Sequence, residues 1–220
     1  MRTSESDAAR TPAPDRVYDH VKSAILDGTY PGGDLLTEGD LAEAVGCSRT
    51  PVREGLLRLQ SEGFVKLYPK KGALVVPVSA QEAADVWEAR ALVEGWAAPR
   101  AFGHGAAIAD ELDELTDRMR AAFEAGEVTA FSEADRTFHE VIVSAAGNDV
   151  LTRLYHGLRE RQVCINARSM RASSDRMAQA IADHAHFAEL LRGDDADAFV
   201  ELTHSHLERA RHNISERVTA

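Results

Sequence analysis

The sequence contains one β-rich stretch, and on both sides of it apolar residues recur at the spacing of a helix. This contrast constrains the fold of the chain more strongly than any other feature. The segments FVKLY (64–68) and ALVVPV (73–78) flank the turn sequence PKKG (69–72). Two short β-rich runs around such a turn predict a β-hairpin. We therefore expect a mainly α protein that contains one small hairpin.

Three short helical patterns precede the hairpin, over residues 16–26, 39–45 and 48–62. Thr37 is a candidate N-cap for the second helix, and Gly46 is a candidate end for it. The second and third patterns are joined by a tight turn, which is typical of a helix-turn-helix motif. With the hairpin that follows, this region predicts a winged helix-turn-helix.

The chain after the hairpin is patterned as helix with short interruptions. The sequence SAQE (79–82) has the form of a capping box and predicts the start of a long helix. Later interruptions fall at 103–105, 125–128, 146–149, 173–175 and 193–195. Because connections this short join antiparallel neighbours, we expect an antiparallel all-helical bundle of about six helices.

These patterns divide the chain into three parts. Residues 1–14 are polar and rich in Ser, Ala, Pro and charged residues, so we expect a disordered lead-in there. The winged helix-turn-helix is expected at 15–77, and the helical bundle at 79–217.

Composition indicates the compartment. The N-terminus lacks the apolar segment of a secretory signal, and no apolar run approaches the roughly 20 residues that span a bilayer. Cys47 and Cys164 are isolated, which fits a reducing environment better than a disulfide or a thiolate metal site. We expect a cytoplasmic protein without a membrane partner.

Charge is distributed unevenly between the two expected domains. The net charge is −11, but residues 1–76 hold ten Lys or Arg against eleven Asp or Glu. Within 48–72, six basic residues stand against two acidic ones. A local basic patch is compatible with DNA binding on an acidic chain, because contacts to phosphate are local. The two domains are therefore expected to have different partners.

The start of the third helix carries the candidate DNA-reading residues. Arg49 and Arg53 are four residues apart and share one helix face. In a helix-turn-helix this end enters the major groove of double-stranded DNA, where arginine can bond to guanine O6 and N7. Ser48 and Thr50 can cap the helix or donate to phosphate, and Pro51 stiffens its entry without losing an internal hydrogen bond. The alternative is that both arginines are solvated surface residues.

The tip of the hairpin supplies a second candidate contact. Lys70, Lys71 and Gly72 would reach phosphate or the minor groove there. A homodimer would place two recognition helices on a palindromic operator.

Four residues of the helical part form a candidate metal site. Asp135 and His139 are four residues apart, a spacing at which both can bind one ion. His184 and His206 lie on apolar stripes of two later helices and are expected to point inward. Their neighbours His186 and His204 are expected at the surface.

The alternative is that the inward histidines are hydrogen-bonded core residues, although a bundle core rarely tolerates so many polar groups unpaired. Three imidazoles and a carboxylate suit Zn²⁺ or Ni²⁺.

The first domain resembles the GntR family of bacterial transcription regulators. The most specific match is SRTPVRE (48–54), followed by LxRLxxEG and the KKG of the hairpin. The helical part resembles the FCD effector domain of the FadR-type branch, through RALVEGWAA (90–98), DRTFH (135–139) and HSHLERA (204–210).

This resemblance implies roles for the candidate residues. FCD domains hold a divalent metal with one Asp and three His at positions that match Asp135, His139, His184 and His206. Open positions on such an ion take the carboxylate of a small metabolite, such as a sugar acid. Arg90 is a candidate second contact for that carboxylate, or alternatively a partner for Glu94 one helical turn later.

One position departs from the family pattern. Many relatives carry a basic residue just before LAE (41–43), where this chain has Gly39. We therefore expect one DNA contact fewer and a less predictable operator.

The resemblance implies a ligand-responsive transcription regulator, most often a repressor, and not an enzyme. One alternative is a DNA-binding dimer with a purely structural metal. A metal-dependent enzyme, in which the metal activates water, is the other. The enzyme is disfavoured because no acid or base with a motif-like context accompanies the candidate ligands.

Overall fold

A computed structural model describes residues 11–169 and 174–218 of the chain. It divides into two compact units, one ending at Val78 and the other beginning at Ser79. Most of the expected lead-in at 1–14 lies outside the described residues. Its last two residues are helical, because the first helix begins at Ala13.

The first unit is a winged helix-turn-helix, as predicted. Within the described residues its elements are α1 (Ala13–Leu26), β1 (Leu35–Leu36), α2 (Glu38–Val45), α3 (Arg49–Ser61), β2 (Val65–Tyr68) and β3 (Gly72–Val75). The strands form an antiparallel sheet in the order β1-β3-β2. Strand β1 is absent from the prediction, because a strand of two residues is too short to show a period.

The turn between α2 and α3 follows the predicted capping chemistry at α2. The Thr37 hydroxyl accepts a hydrogen bond from the Asp40 N–H at 3.2 Å. Gly46 ends α2 in the left-handed conformation, with φ of 65°. Ser48 precedes α3 in an extended conformation, but its side chain makes no capping hydrogen bond. Ser48 therefore does not have the capping role suggested for it, and its contact to phosphate stays a prediction.

Close packing of α1 on α3 depends on a glycine. A Cβ at Gly55 would lie 2.9 Å from Cγ1 of Val17 and 3.0 Å from the carbonyl oxygen of Pro14. The buried face around it consists of apolar side chains: Val17, Val21, Leu41, Val52, Leu56 and Leu59. The opposite face of α3 is thereby left for solvent.

The hairpin tip is built as predicted from PKKG, with Lys70 at a φ of 63°. Gly72 is required by packing, because a Cβ there would lie 2.1 Å from the carbonyl oxygen of Leu36. The structure thus gives Gly72 a reason to be glycine that does not involve DNA, and its contact to DNA stays a prediction.

The second unit is a helical bundle. Its described part contains six helices: α4 (Ala80–Phe102), α5 (Gly105–Ala125), α6 (Val128–Ala145), α7 (Asp149–Ser169), α8 (Ser174–Arg192) and α9 (Ala196–Val218). The predicted cap is present, since the Ser79 hydroxyl accepts a hydrogen bond from the Glu82 N–H at 3.0 Å. None of the described helices is both long and apolar enough to cross a membrane.

The core of the bundle surrounds a polar centre. Helix α5 packs on α6 and α8, and α4 packs on α9, α6 and α7. Buried apolar residues fill these contacts, among them Leu112, Met119, Phe131, Phe138, Phe187 and Phe199. Several charged or polar side chains are equally buried, and most of them converge on one site.

Candidate metal centre and nucleic-acid interface

Three buried histidines converge at the centre of the bundle, one each from α6, α8 and α9. One ring nitrogen from each of His139, His184 and His206 lies within 4.8 Å of the other two. The Nε2 atoms of His139 and His184 are 3.3 Å apart. Two nitrogens bound to one tetrahedral zinc at about 2.0–2.1 Å would be roughly 3.3–3.4 Å apart. The cluster can therefore hold a metal ion.

Asp135 completes the predicted set at the edge of this cluster. Its Oδ1 lies 3.7 Å from Nε2 of His184 and 3.9 Å from Nε2 of His139. Its Oδ2 accepts a hydrogen bond from Nη2 of Arg159 at 2.6 Å. The structure therefore brings all four candidate ligands together, with the carboxylate oriented by an arginine.

Carboxylates outside the cluster orient two of the imidazoles. The Nδ1 of His139 lies 2.9 Å from Oε2 of Glu94, and the Nδ1 of His206 lies 2.8 Å from Oδ2 of Asp183. An N–H donated from Nδ1 to a carboxylate leaves Nε2 with a free lone pair for a metal. His184 differs, because its Nδ1 lies 3.1 Å from the sulfur of Met119.

Burial and neighbouring charges shift the pKa values of three of the four candidate ligands. Burial lowers the pKa of His139 to about 4, although Glu94 and Asp135 oppose this shift. Burial also lowers the pKa of His184 well below its ordinary value, and the charge of His206 adds to the shift. Burial alone would raise the pKa of Asp135, but Arg159 and the histidines outweigh it and hold that pKa below its ordinary value. At neutral pH His139 and His184 are therefore neutral imidazoles, and Asp135 is an ionised carboxylate.

Glu94 connects the cluster to a second buried layer. Nε of Arg90 donates to its Oε1 at 2.8 Å, and the Tyr155 hydroxyl donates to the same oxygen at 2.5 Å. Arg90 and Glu94 are only 1% and 3% exposed. Burial would raise the pKa of Glu94, but Arg90 and His139 hold it well below its ordinary value. Of the two roles suggested for Arg90, the structure shows the pairing with Glu94, and the contact to a metabolite stays a prediction.

Sequence reasoning missed Arg159, which is 2% exposed and bonds to Asp135. A signal was present on α7, where Leu151, Tyr155 and Leu158 form a helical stripe. Arg159 lies at the next position of that stripe. Its place in the helical repeat therefore predicts that a charged residue lies on the buried face of α7.

Asp183 is a second buried charged residue that sequence reasoning missed. Its carboxylate is buried because three side chains bond to it. These donors are Nδ1 of His206, Nη2 of Arg209 at 2.7 Å and Nε2 of Gln179 at 2.9 Å. The predicted exposure of His186 and His204 is confirmed.

A cavity of about 740 Å³ opens beside this carboxylate, between α8 and α9. His206 and Asp183 form part of its wall. Three arginines line it as well, Arg176, Arg209 and Arg211, and so do the acidic residues Asp175 and Glu208. The cavity therefore brings solvent to one side of the histidine cluster, past side chains of both charges.

The start of α3 presents polar residues to solvent. Ser48, Arg49, Thr50 and Arg53 are exposed, and Pro51 is half-buried. Nε of Arg53 donates to Oε1 of Glu38 at 2.7 Å, a contact that the sequence analysis did not anticipate. At the hairpin tip, Lys70 and Lys71 are exposed as well. These groups can donate to an anionic backbone or to base edges.

Gly39 lies next to one of the arginines. A Cβ placed there would lie 3.9 Å from Nη2 of Arg49. This is ordinary van der Waals contact, so the structure shows no steric requirement for glycine at this position.

Comparison with known proteins agrees with this division into two units. Residues 14–75 match the family described as bacterial regulatory proteins, gntR family, and residues 85–209 match the FCD domain. An uncharacterized HTH-type transcriptional regulator from the TAR-I ttuE–ttuC′ intergenic region of Agrobacterium vitis is 34% identical over 147 residues, covering 65% of this chain and 84% of the relative.

Two further proteins are similar over most of the chain. The gluconate operon transcriptional repressor of Bacillus licheniformis is 23% identical, over 91% of this chain and 84% of its own length. The solved structure of Escherichia coli McbR/YncC covers 94% of this chain and 99% of its own, with a TM-score of 0.80 at 21% identity. The latter likeness concerns the fold.

Proposed function

This chain belongs to the gntR family of bacterial regulatory proteins and carries an FCD domain, and from this premise we propose the details of its regulation. It is a transcription regulator. In our proposal it is a repressor that binds a palindromic operator as a dimer and responds to a small carboxylate metabolite through a bound metal ion. The observation that carries the proposal is the convergence of three buried imidazoles, two of them oriented by carboxylates.

The DNA-binding part of the proposal rests on α3. Arg49 and Arg53 are exposed one turn apart at its start, while Val52 and Leu56 on the other face are buried. The free N–H groups of a helix N-terminus attract phosphate, which suits the exposed Ser48. Arg49 and Arg53 would read bases in the major groove, and Lys70 and Lys71 would contact the backbone or the minor groove.

The sensing part rests on the four candidate ligands. Asp135, His139, His184 and His206 would hold a divalent ion, with zinc and nickel best suited to this donor set. A bound ion of coordination number five or six would supply positive charge for a metabolite carboxylate. Arg90 would add a second cationic contact by the same chemistry.

The class of metabolite follows from the charge of the site and from one relative. A divalent ion held by the four ligands would supply positive charge beside the cavity at His206, and that charge would favour an anionic ligand. The Bacillus licheniformis relative is named for the gluconate operon, and gluconate is a sugar acid. A sugar acid, or another small carboxylate, is therefore the effector that we propose.

Dimerisation is proposed through the face shared by α4 and α7, which pack against each other. Leu92, Val150 and Leu154 on these helices are 70%, 67% and 56% exposed. Exposed apolar side chains mark a surface that a partner covers when they form one contiguous patch, and our proposal is that these three do so on the packed pair of helices. Leu154→Glu should convert a dimer to a monomer in light scattering, whereas Leu57→Glu, on α3, should not. A monomeric wild type, or a dimeric Leu154→Glu variant, would contradict this assignment.

Footprinting on the DNA upstream of the protein's own gene would test the whole proposal. With zinc or nickel supplied, added gluconate or a related sugar acid should release the protein from a palindromic site. A response that persists after metal is removed by chelation would leave the metal a structural role only. Turnover of the carboxylate by the purified protein would favour an enzyme instead.

Base reading by the two arginines has its own test. Arg49→Ala or Arg53→Ala should each cost about 1–3 kcal/mol of binding to the operator, and much less to unrelated DNA. An equal loss on every DNA sequence would make them contacts to phosphate.

A further inference from the structure

The ion pair between Glu38 and Arg53 links the two helices of the helix-turn-helix. Glu38 is the first residue of α2, and Arg53 lies one turn into α3. Nε of Arg53 is 2.7 Å from Oε1 of Glu38, which is the length of a charge-assisted hydrogen bond. The hydrogen bond from Arg53 lowers the pKa of Glu38, and the charges of Arg53 and Arg49 add to the shift. Glu38 is therefore ionised at neutral pH in the free protein.

This bond leaves most of the guanidinium for another partner. It uses the single N–H on Nε, whereas the four N–H groups on Nη1 and Nη2 remain, and two of them can pair with the edge of a guanine. The Arg53 side chain is 66% exposed, while that of Glu38 is 26% exposed. The carboxylate thus holds the arginine from the protein side and leaves its outer end accessible.

Folding stability does not explain such a contact, because exposed ion pairs contribute little to it. Binding is affected differently. A long side chain that is already fixed loses less conformational freedom when it contacts a base. A negative charge beside the arginine also disfavours a simple phosphate contact at that point, because phosphate and carboxylate repel each other.

We propose that Glu38 is a positioning residue for DNA recognition, which holds Arg53 by its Nε so that Nη1 and Nη2 face a base edge. This inference rests on the proposed function, in which α3 reads the operator. It adds that specificity at one base pair depends on a residue of α2.

A second ion pair in the same unit provides a matched control. Arg58, near the end of α3, pairs with Asp15 of α1, and both side chains are partly exposed, at 49% and 43%. Asp15→Ala and Glu38→Ala remove the same charge from the same unit. An effect of the net charge of the unit would therefore appear in both variants, and Glu38→Gln removes the charge at Glu38 itself while keeping an acceptor there.

The test compares affinity for the operator with affinity for an unrelated duplex at one salt concentration. Glu38→Ala should lower the ratio of these affinities by about two- to tenfold, the range expected for freeing one long side chain. Glu38→Gln should retain part of the ratio, because its amide oxygen accepts the same N–H. Asp15→Ala should leave the ratio unchanged.

Operators substituted one base pair at a time would locate the effect. Glu38→Ala should weaken discrimination at the same base pair as Arg53→Ala, and the double variant should lose no more than Arg53→Ala alone. A loss at a different base pair would overturn the inference, because Glu38 would then read a base itself. An unchanged ratio in Glu38→Ala would overturn it too.

The same data separate this inference from the proposed function. If Arg53→Ala loses specificity and Glu38→Ala does not, only the role of Glu38 fails. If Arg53→Ala keeps full specificity, the assignment of Arg53 as a reader fails, and the inference falls with it. Thermal unfolding of each variant would verify that the unit is folded.

Discussion

The histidine cluster and the start of α3 are both polar sites, but they are built in opposite ways. In the cluster, the rings are buried and two of them are held by carboxylates that have further partners of their own. At the start of α3, Arg49 and Ser48 are exposed, and Arg53 has one acidic neighbour. Buried polar groups need partners in every state of the protein, whereas exposed donors can be hydrated until a ligand arrives.

This difference determines where substitutions should have their effect. Changes in the buried network should reduce folding stability before they alter binding. Changes at the start of α3 should alter binding with little cost in stability.

Removal of Glu94 should have the largest effect on stability. Glu94→Ala leaves Arg90 buried without its carboxylate and removes the acceptor for His139 and Tyr155. We expect a loss of about 3–5 kcal/mol in the free energy of unfolding. Urea denaturation monitored by circular dichroism would measure it. Glu88→Ala, at an exposed position of the same helix, is the control, and an equal loss in both would contradict the importance of the buried network.

Loss of one imidazole should remove the stabilisation that metal confers. At a free metal concentration of one hundred times Kd, wild-type protein should gain about 2.7 kcal/mol. His206→Ala should lose this gain, because one of the converging nitrogens is missing. His204→Ala should keep it, since His204 lies two residues away on the exposed face. Thermal unfolding with and without zinc or nickel measures the gain, and equal behaviour of the two variants would exclude this cluster as the site.

The same glycine-to-alanine change should have opposite signs in the two units. Gly55→Ala should destabilise by about 1–3 kcal/mol, because its Cβ would overlap Val17 and Pro14. At Gly157, on α7, the described residues leave open space within 4 Å of a Cβ, and alanine favours helix. Gly157→Ala should therefore stabilise by up to about 1 kcal/mol. Denaturant midpoints would measure both, and a neutral Gly55→Ala would contradict the close packing of α1 on α3.

Helical periodicity was sufficient to predict much of both regions. It placed His184 and His206 inside the bundle and their neighbours His186 and His204 outside, as the structure has them. Sequence signals at Thr37 and Ser79 likewise predicted real caps. These features depend on residues close in sequence, so a local pattern is enough to find them.

Partners that are distant in sequence were harder to predict. Arg159 bonds to Asp135 across 24 positions, and Asp183 bonds to His206 across 23. Neither pair follows a spacing rule, because helix packing decides which side chains meet. The sequence does offer one signal for a buried charge, which is a charged residue within a helical stripe of apolar residues. Arg159 shows this signal.

The central claim is that the buried histidines sense a ligand and that α3 recognises DNA. Mutations should be able to remove one of these two functions and leave the other intact. The most direct test is operator affinity of wild type, His184→Ala and the control His186→Ala, with metal present and a sugar acid titrated. Without the acid, we predict that all three bind the operator equally. With it, wild type and His186→Ala should lose about 5- to 150-fold in affinity, and His184→Ala should not respond. An undiminished response in His184→Ala would contradict the claim.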